Sequence, residues 1–337
     1  MSDVSSEGAP RFARHVIDLD DGHRVGIAVA GRGVPVVVIH GFGAEGRIYA
    51  QTLARVAALG LRVIALDAPG HGDTDPAPGD EPTLGDAASV IVRALDQLGV
   101  RRAVLAGHSM GGRLAVEVAA RAPERTLTVV IVDAIVGAPW DRIQRDTSES
   151  RLARARFARE FWIDTLSTVP WTDWRQSLKL GWRSARAVSG HVIRPWESLR
   201  SARVVTRSAS SVATLERIAA AGVPLIAIHG DADPIVPLSA AKDAATRTAG
   251  ELVVVRGAGH SWLIRCPDTL PAIVEELLEG GLGDALASRG LPRGAAPAAL
   301  EAACCAPGAP LANYGRPHRA RSVSGVPRYE WRLDRAA

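Results

Sequence analysis

The sequence predicts an α/β fold in which a doubly wound, mostly parallel sheet carries an inserted helical cap. From residue 12 onward, short apolar segments alternate with amphipathic segments, an order typical of parallel strands joined by helices. Residues 34–39 form a continuous, largely β-branched run, which indicates a strand covered on both faces. The alternation stops near residue 137 and returns after residue 210, so we interpret the segment between them as an insertion.

The individual elements follow from the same pattern. Strands are predicted at residues 15–19, 24–30, 34–39, 62–66, 103–106, 127–132, 225–228 and 252–255. Helices are predicted at residues 48–59, 84–98, 110–121 and 268–278. The strands and helices therefore alternate as a doubly wound sheet requires.

Composition divides the chain into four parts. Residues 1–10 are predicted to be a flexible N-terminal arm, and residues 11–136 together with 211–280 form the predicted core. Residues 137–210 are Arg-rich, hold six of the eight tryptophans and are predicted to be the helical cap. Residues 281–337 are rich in Ala, Gly, Pro and Arg, so we expect a poorly ordered tail.

Composition and charge argue against several classes of protein. With 47% hydrophobic and 23% charged residues, the chain has the composition of a globular protein. The net charge of +4 is concentrated in residues 291–337, which carry seven arginines and three acidic residues, so no nucleic-acid partner is expected. No apolar run approaches the roughly 18 residues that a membrane-spanning helix needs, so no integral membrane segment is expected.

The cysteines and the polar start of the chain bear on the compartment. The three cysteines are Cys266, Cys304 and Cys305, an odd number without metal-type spacing. The first residues lack the apolar segment of an export signal. We therefore expect a cytoplasmic protein without a metal or cofactor, and we make no prediction of its oligomeric state or of a role for Cys304 and Cys305.

The most informative motif lies between a predicted strand and a predicted helix. Residues 107–112 read Gly-His-Ser-Met-Gly-Gly, which satisfies G-x-S-x-G in the strand-to-helix context that this motif requires. A serine at so sharp a turn needs small neighbours, and the turn presents the hydroxyl of Ser109 above the sheet. Ser109 is therefore the predicted nucleophile, whereas His108 is interpreted as a packing and hydrogen-bonding residue beneath the turn.

A serine nucleophile needs a base and an acid that orients the base, in the chain order Ser, Asp, His. His260 follows the last predicted core strand, and Asp233 follows the strand before it, so we predict His260 as base and Asp233 as acid. Asp231 and Asp133 remain alternatives for the acid. The backbone N–H groups of Phe42 and Met110 are the predicted oxyanion hole.

These residues resemble the α/β-hydrolase family, specifically its serine carboxylesterases and lipases with a helical cap. The likeness extends over residues 12–278 and includes the His40-Gly41 turn and the Asp-Ala-Pro-Gly-His-Gly sequence at residues 67–72. The resemblance implies an eight-stranded, mostly parallel sheet, a lid inserted after the sixth strand, and hydrolysis through a covalent acyl-enzyme.

We therefore predict a serine hydrolase acting on a small to medium, mostly apolar carboxylic ester. Trp140, Trp162 and Trp262 are predicted to contact the substrate, although the tryptophans of the cap also suit the interior of a small lid. Alternatives with the same machinery are a C–C bond hydrolase of ring meta-cleavage products, a thioesterase and a perhydrolase. A hydrolase-fold binding protein is the non-enzymatic alternative, and the presence of all three candidate triad residues argues against it.

Overall fold

A single twisted sheet organises the protein in the computed structural model of the chain. The structure describes residues 12–42, 46–167, 203–205, 207–315 and 326–335. The predicted arm at residues 1–10 and residues 168–202 of the predicted cap lie outside the described residues. Within the described part, the α/β fold with a mostly parallel sheet is confirmed.

The described sheet has nine strands in the order β1-β2-β4-β3-β5-β6-β7-β8-β9. The strands are Ala13–Asp18 (β1), Arg24–Gly31 (β2), Val34–Ile39 (β3), Leu61–Leu66 (β4), Ala103–His108 (β5), Thr126–Val132 (β6), Leu225–Gly230 (β7), Glu251–Val255 (β8) and Trp331–Arg335 (β9). Strands β3 to β8 are parallel, while β1, β2 and β9 run antiparallel to their neighbours. Most residues of β3, β4, β6 and β7 are both apolar and buried, as is typical of parallel strands covered on both faces.

Helices cover both faces of the sheet. They are Ala50–Ala58 (α1), Leu84–Gln97 (α2), Met110–Arg121 (α3), Ala138–Glu149 (α4), Arg151–Ser167 (α5), Ser211–Ala220 (α6), Leu238–Thr248 (α7), Trp262–Arg265 (α8), Thr269–Glu279 (α9), Gly281–Ser288 (α10) and Pro297–Cys304 (α11). Helix α2 begins with a capping box in which Thr83 and Asp86 satisfy each other's backbone N–H groups. Two buried apolar clusters, one on each face of the sheet, hold these helices in place.

The parallel strands bring their carboxyl ends to one edge of the sheet. Ser109 follows β5, Asp133 follows β6, Asp233 follows β7 within a few residues, and His260 follows β8 after a short loop. Ligand sites of open α/β sheets form outside such carboxyl ends. We call this set of strand ends and loops the catalytic edge.

The C-terminal part of the chain differs from the expectation. Helices α10 and α11 are ordered, and β9 pairs with β8 along its whole length, from Glu251 opposite Arg335 to Val255 opposite Trp331. The prediction of a poorly ordered tail is wrong for residues 281–315 and 326–335, and the sheet has one strand more than the eight that the resemblance implies. The physical reason is burial, because the Ala-rich segment contributes Leu282, Leu286 and Leu311 to the buried apolar clusters, while β9 covers the edge of β8.

Buried polar contacts also fix this C-terminal part. Arg62 on β4 is almost fully buried and donates to the carbonyl of Leu311 at 2.7 Å and to that of Tyr314. The three cysteines are buried and free, and burial raises the pKa of both Cys304 and Cys305 to about 11. Protonated thiols of this kind pack as small apolar side chains.

Among the described helices, we find none that combines the length and the apolar character needed to cross a bilayer.

Candidate active site

Ser109 occupies a strained turn between β5 and α3. Its φ of 54° and ψ of −118° lie in a region that L residues rarely adopt. Glycines make the turn possible: a Cβ on Gly107 would lie 2.2 Å from the backbone of Gly111, and a Cβ on Gly111 would lie 2.1 Å from the carbonyl oxygen of Ile39. The G-x-S-x-G pattern therefore reflects close backbone contacts in this chain.

The two predicted oxyanion donors lie beside Ser109. Met110 is the first residue of α3, so its N–H belongs to the first turn, where helix geometry provides no acceptor within the helix. Phe42 follows β3, and a Cβ on its neighbour Gly41 would lie 3.4 Å from the Cβ of Ser109. Phe42, Ser109 and Met110 all line the same cavity. The arrangement suits an oxyanion formed at a carbonyl that Ser109 attacks.

His260 and Asp233 form a direct pair. The Nδ1 of His260 donates to Oδ2 of Asp233 at 2.8 Å, and the other oxygen of Asp233 accepts from the N–H groups of Ile235 at 2.7 Å and Val236 at 3.0 Å. The carboxylate is thus fixed by its own loop and holds the imidazole with Nδ1 protonated, leaving Nε2 as the basic nitrogen.

Opposing effects act on the pKa of each group in this pair. Burial favours neutral forms, but the charge and hydrogen bond of Asp233 outweigh it and hold the pKa of His260 above its ordinary value. Burial likewise opposes ionisation of Asp233, yet His260 and the backbone donors keep the pKa of that carboxyl below its ordinary value. Asp233 is therefore the charged partner, and the imidazolium that forms on proton transfer is stabilised.

The two other candidate acids have different partners. Asp133 is fully buried and accepts from the N–H of Gly230 at 2.8 Å and from Nε1 of Trp262 at 2.7 Å. Burial and the nearby charge of Asp233 raise the pKa of Asp133 well above its ordinary value, so Asp133 is the neutral one of these two carboxyl groups. Asp231 accepts from the N–H of Gly257 at 2.6 Å. Of the three carboxyl groups, the one bonded to the His260 ring is that of Asp233.

The position of Trp262 corrects the prediction that it contacts the substrate. Its side chain is 2% exposed, belongs to the apolar cluster on one face of the sheet, and is held by the bond to Asp133 and a ring contact with Tyr329. It is absent from the residues that line the cavity beside Ser109. The indole of Trp262 lies beneath the catalytic edge, and its N–H already donates to Asp133.

His108 supports the base from below. Its Nε2 lies 2.9 Å from the carbonyl oxygen of His260, which can only accept, so Nε2 carries the proton and Nδ1 accepts from the hydroxyl of Tyr49 at 2.8 Å. Burial and the charge of His260 lower the pKa of His108 to about 3. A neutral His108 with both nitrogens bonded is a positioning residue. The sequence offered no signal for the part played by Tyr49.

A cavity of about 490 Å3 opens over Ser109. The apolar part of its wall comes from both the catalytic edge and the cap helices: Met110, Ile135, Trp140, Phe157, Val205 and Ile235. Trp140, on α4, lines this cavity, and its ring contacts that of Phe157 on α5 with centroids 6.0 Å apart. The side chain of Trp162 lies outside the described residues. The sequence did not single out Phe157, because its spacing on α5 resembles that of any half-buried helix residue.

Three side chains near the base have atoms close enough to hold a cation. Asp133, His229 and Asp233 each offer a ligand atom, and these atoms lie within 4.8 Å of one another. The oxygens of both carboxyl groups, however, already accept hydrogen bonds from the protein. The cluster is accounted for by the structure of the catalytic edge and supports no metal proposal.

Comparisons with known proteins agree with this geometry. The model of the alpha/beta hydrolase family matches residues 36–272. A "Putative non-heme haloperoxidase" of Mycobacterium phage D29 is 33% identical over 258 residues, which cover 75% of this chain and 90% of that protein. A 2-hydroxy-6-oxo-6-phenylhexa-2,4-dienoate hydrolase of Burkholderia cepacia is 37% identical over 132 residues, or 38% of this chain and 42% of that protein.

The fold also matches solved structures. A serine hydrolase involved in carbazole degradation superimposes with a TM-score of 0.63 at 18% identity, covering 80% of this chain and 99% of that chain. Identity this low supports the fold and not the reaction. The family model covers most of the chain, and the phage relative aligns over nearly its full length. This protein therefore belongs to the alpha/beta hydrolase family.

Proposed function

We propose that this protein is a serine hydrolase that cleaves small to medium, mostly apolar carboxylic esters through an acyl-enzyme. The observation that carries the proposal is the position of Ser109, which lies at a strained turn, lines a mainly apolar cavity and shares one edge of the sheet with the His260–Asp233 pair. The ring of His260 is 4.8 Å from that of His108, the residue before Ser109. Nucleophile, base and acid thus converge on one edge of the sheet.

The chemistry follows from these positions. His260 accepts the hydroxyl proton of Ser109 as Oγ bonds to the ester carbonyl carbon, and the N–H groups of Phe42 and Met110 stabilise the resulting oxyanion. Collapse of the intermediate breaks the C–O bond, and His260 returns the proton to the departing alcohol. Water, deprotonated by the same base, then releases the acid and regenerates Ser109.

The cavity favours a substrate of modest size. Its volume of about 490 Å3 lies within the range of small-molecule pockets, and its wall is mainly apolar, with Arg154 and Arg207 among the polar residues that line it. Membership of the family supports a hydrolase in general terms, while the catalytic residues and the ester as substrate are our proposal.

One relative favours a second candidate reaction. The chain is 33% identical to a "Putative non-heme haloperoxidase", and hydrogen peroxide could replace water in the second step. Attack of peroxide on the acyl-enzyme would give a peracid and free Ser109, with His260 taking the peroxide proton. The same residues would serve, so a peroxide arm belongs in the first assay.

The proposal is tested with p-nitrophenyl esters from acetyl to dodecanoyl, each assayed with and without peroxide. We expect turnover of short and medium chains that falls by at least about 10³-fold in Ser109→Ala. Ser288→Ala is the matched control, because that hydroxyl lies on α10 and donates to the carbonyl of Ala285. Equal turnover by Ser109→Ala, or no turnover of any ester by the folded protein, would contradict the proposal. In the second case, dienone substrates for C–C cleavage would be assayed next.

A further inference from the structure

We infer that Asp164, on cap helix α5, positions the base His260, so that the cap contributes to the chemistry as well as to the wall of the cavity. This inference rests on the proposed role of His260. It concerns a residue that the sequence did not single out, since Asp164 lies 96 positions before His260 in a segment without a motif.

The contacts of Asp164 carry the inference. Its Oδ1 accepts from the backbone N–H of His260 at 3.1 Å, and its Oδ2 accepts from the hydroxyl of Ser261 at 2.6 Å. The residue is only 7% exposed, although Ile163 beside it on α5 is 48% exposed. One carboxylate of the cap thus bridges two consecutive residues of the loop that holds the base.

The loop is shaped for this approach. A Cβ on Gly259 would lie 3.2 Å from Oδ1 of Asp164, closer than most real Cβ contacts. Gly259 therefore leaves room for the carboxylate next to the N–H that it accepts from. The glycine before His260 acquires a specific function in this chain, which is to admit a side chain from the cap.

Three separate elements hold His260. Asp164 binds its N–H from the cap, the Nε2–H of His108 binds its carbonyl from the end of β5, and Asp233 binds its ring from the loop after β7. Each contact restrains a different part of the residue. Loss of the contact to Asp164 leaves the backbone of His260 held on one side, and small misplacements of a base are costly for proton transfer.

Asp164 also contributes charge. Burial lowers the pKa of His260, and the acidic neighbours raise it, with Asp233 the strongest of them and Asp164 a further contributor. The titratable groups that surround the His260 ring come from the cap, from the β5, β6 and β7 ends, and from the loop after β7: Asp164, His108, Asp133, His229 and Asp233. Removing the charge of Asp164 should therefore lower the pH at which the base becomes active.

The test uses the full chain and the rate at which a small alkyl fluorophosphonate labels Ser109 between pH 5 and pH 9. This reaction needs the nucleophile and base but no knowledge of the natural substrate. Asp164→Asn keeps an oxygen for the His260 N–H and removes the charge, whereas Asp164→Ala removes both. Glu160→Gln is the matched control, since Glu160 lies one turn earlier on α5 and its described ion pair is with Arg159.

We expect both Asp164 variants to move the pH midpoint of labelling downward, and Asp164→Ala to label about 10- to 100-fold more slowly than Glu160→Gln at the plateau. An unchanged midpoint in Asp164→Asn, or a plateau rate for Asp164→Ala within about twofold of the control, would overturn the inference. Asp164→Asn keeps the test valid should the alanine variant not fold. A wild-type protein that is not labelled at Ser109 would overturn the proposed function itself, which is a different result from normal labelling of every variant.

Discussion

The catalytic edge and the cap differ in what fixes their side chains. At the edge, strand ends and glycine contacts determine where Ser109, Asp233 and His260 lie, and backbone N–H groups of its own loop hold Asp233. In the cap, α4 and α5 supply cavity residues such as Trp140 and Phe157, whose rings contact each other. Under the proposed function, the edge carries out bond cleavage and the cap selects the substrate. Asp164 is the exception that joins them.

The largest expected effect contrasts two carboxyl groups of the edge. Asp233→Asn should lower kcat/KM by about 10³- to 10⁴-fold, because the amide cannot stabilise the imidazolium and favours the wrong tautomer. Asp133→Asn should retain activity within about tenfold, since the amide oxygen can still accept from one of the two donors, Trp262 or Gly230, and loss of the other hydrogen bond mainly lowers stability. Steady-state kinetics on a p-nitrophenyl ester measures both variants. Equal losses would show that Asp133 takes part in the chemistry.

A second contrast tests the backbone contacts of the turn. Gly111→Ala should destabilise the protein by about 1–3 kcal/mol and lower activity, because its Cβ would meet the carbonyl of Ile39 at 2.1 Å. In Gly280→Ala the Cβ would have ordinary contact with the carbonyl of Glu276 at 3.4 Å, and the change should stay within about 0.5 kcal/mol. Urea unfolding followed by circular dichroism compares the two. Similar stabilities would mean that the turn relaxes around an added methyl group.

The third contrast compares the effect of removing β9 on stability with its effect on the reactivity of Ser109. Deleting residues 326–337 exposes β8, so we expect a lower thermal midpoint and concentration-dependent aggregation. The remaining folded fraction should still be labelled at Ser109, since each candidate triad residue lies outside the deletion. Scanning calorimetry and light scattering make the comparison, with deletion of residues 336–337 as control. An unchanged midpoint would show that β9 contributes nothing to stability.

A smaller effect is expected in the cap. Phe157→Ala enlarges the cavity, so the ratio of kcat/KM for the dodecanoyl ester to that for the butanoyl ester should rise about tenfold. Leu152→Ala, on the same helix but 81% exposed, should leave the ratio unchanged. The ester series measures both. If Phe157→Ala instead lowered turnover of all chain lengths equally, the cap would be acting on the base and not on substrate length.

The smallest expected effect is in the pH dependence of activity. The base must be neutral to accept a proton, and its pKa lies above the ordinary histidine value because Asp233 outweighs burial. Activity should therefore be complete at high pH and fall as pH decreases through a midpoint above the usual value of about 6.5. A pH profile of kcat/KM locates this midpoint. A midpoint below the usual histidine range would contradict the pairing with Asp233.

Local sequence patterns predicted the turn at Ser109 and the strand ends of the catalytic edge. They could not predict contacts between residues that are distant in the sequence. The turn at Ser109 could be predicted because glycine spacing encodes its backbone contacts, and the order of Asp233 and His260 follows from strand succession. The choice between Asp233, Asp231 and Asp133 could not be made, since all three follow strands and only side-chain direction separates them. The prediction that Trp262 contacts the substrate was wrong for the same reason, because the sequence does not show the direction of its side chain.

The tail and Asp164 show two further limits. Proline and glycine content predicted disorder beyond residue 280, yet burial of Leu311 and Cys304 outweighs that composition. Asp164 stands on a helix with no clear apolar face, so periodicity gives no indication that this one carboxylate points inward. The burial of the tail and the inward direction of Asp164 both depend on how segments far apart in the sequence pack together.

If the catalytic edge acts through a covalent bond to Ser109, that bond can be trapped. The protein would be mixed with p-nitrophenyl butanoate, quenched in acid within milliseconds to seconds, and digested for mass spectrometry. We expect one butanoyl group on the peptide that contains Ser109, accumulation of this adduct in Asp233→Asn at a reduced rate, and no adduct in Ser109→Ala. Rapid ester turnover with no adduct at Ser109, or with the adduct on another residue, would contradict it.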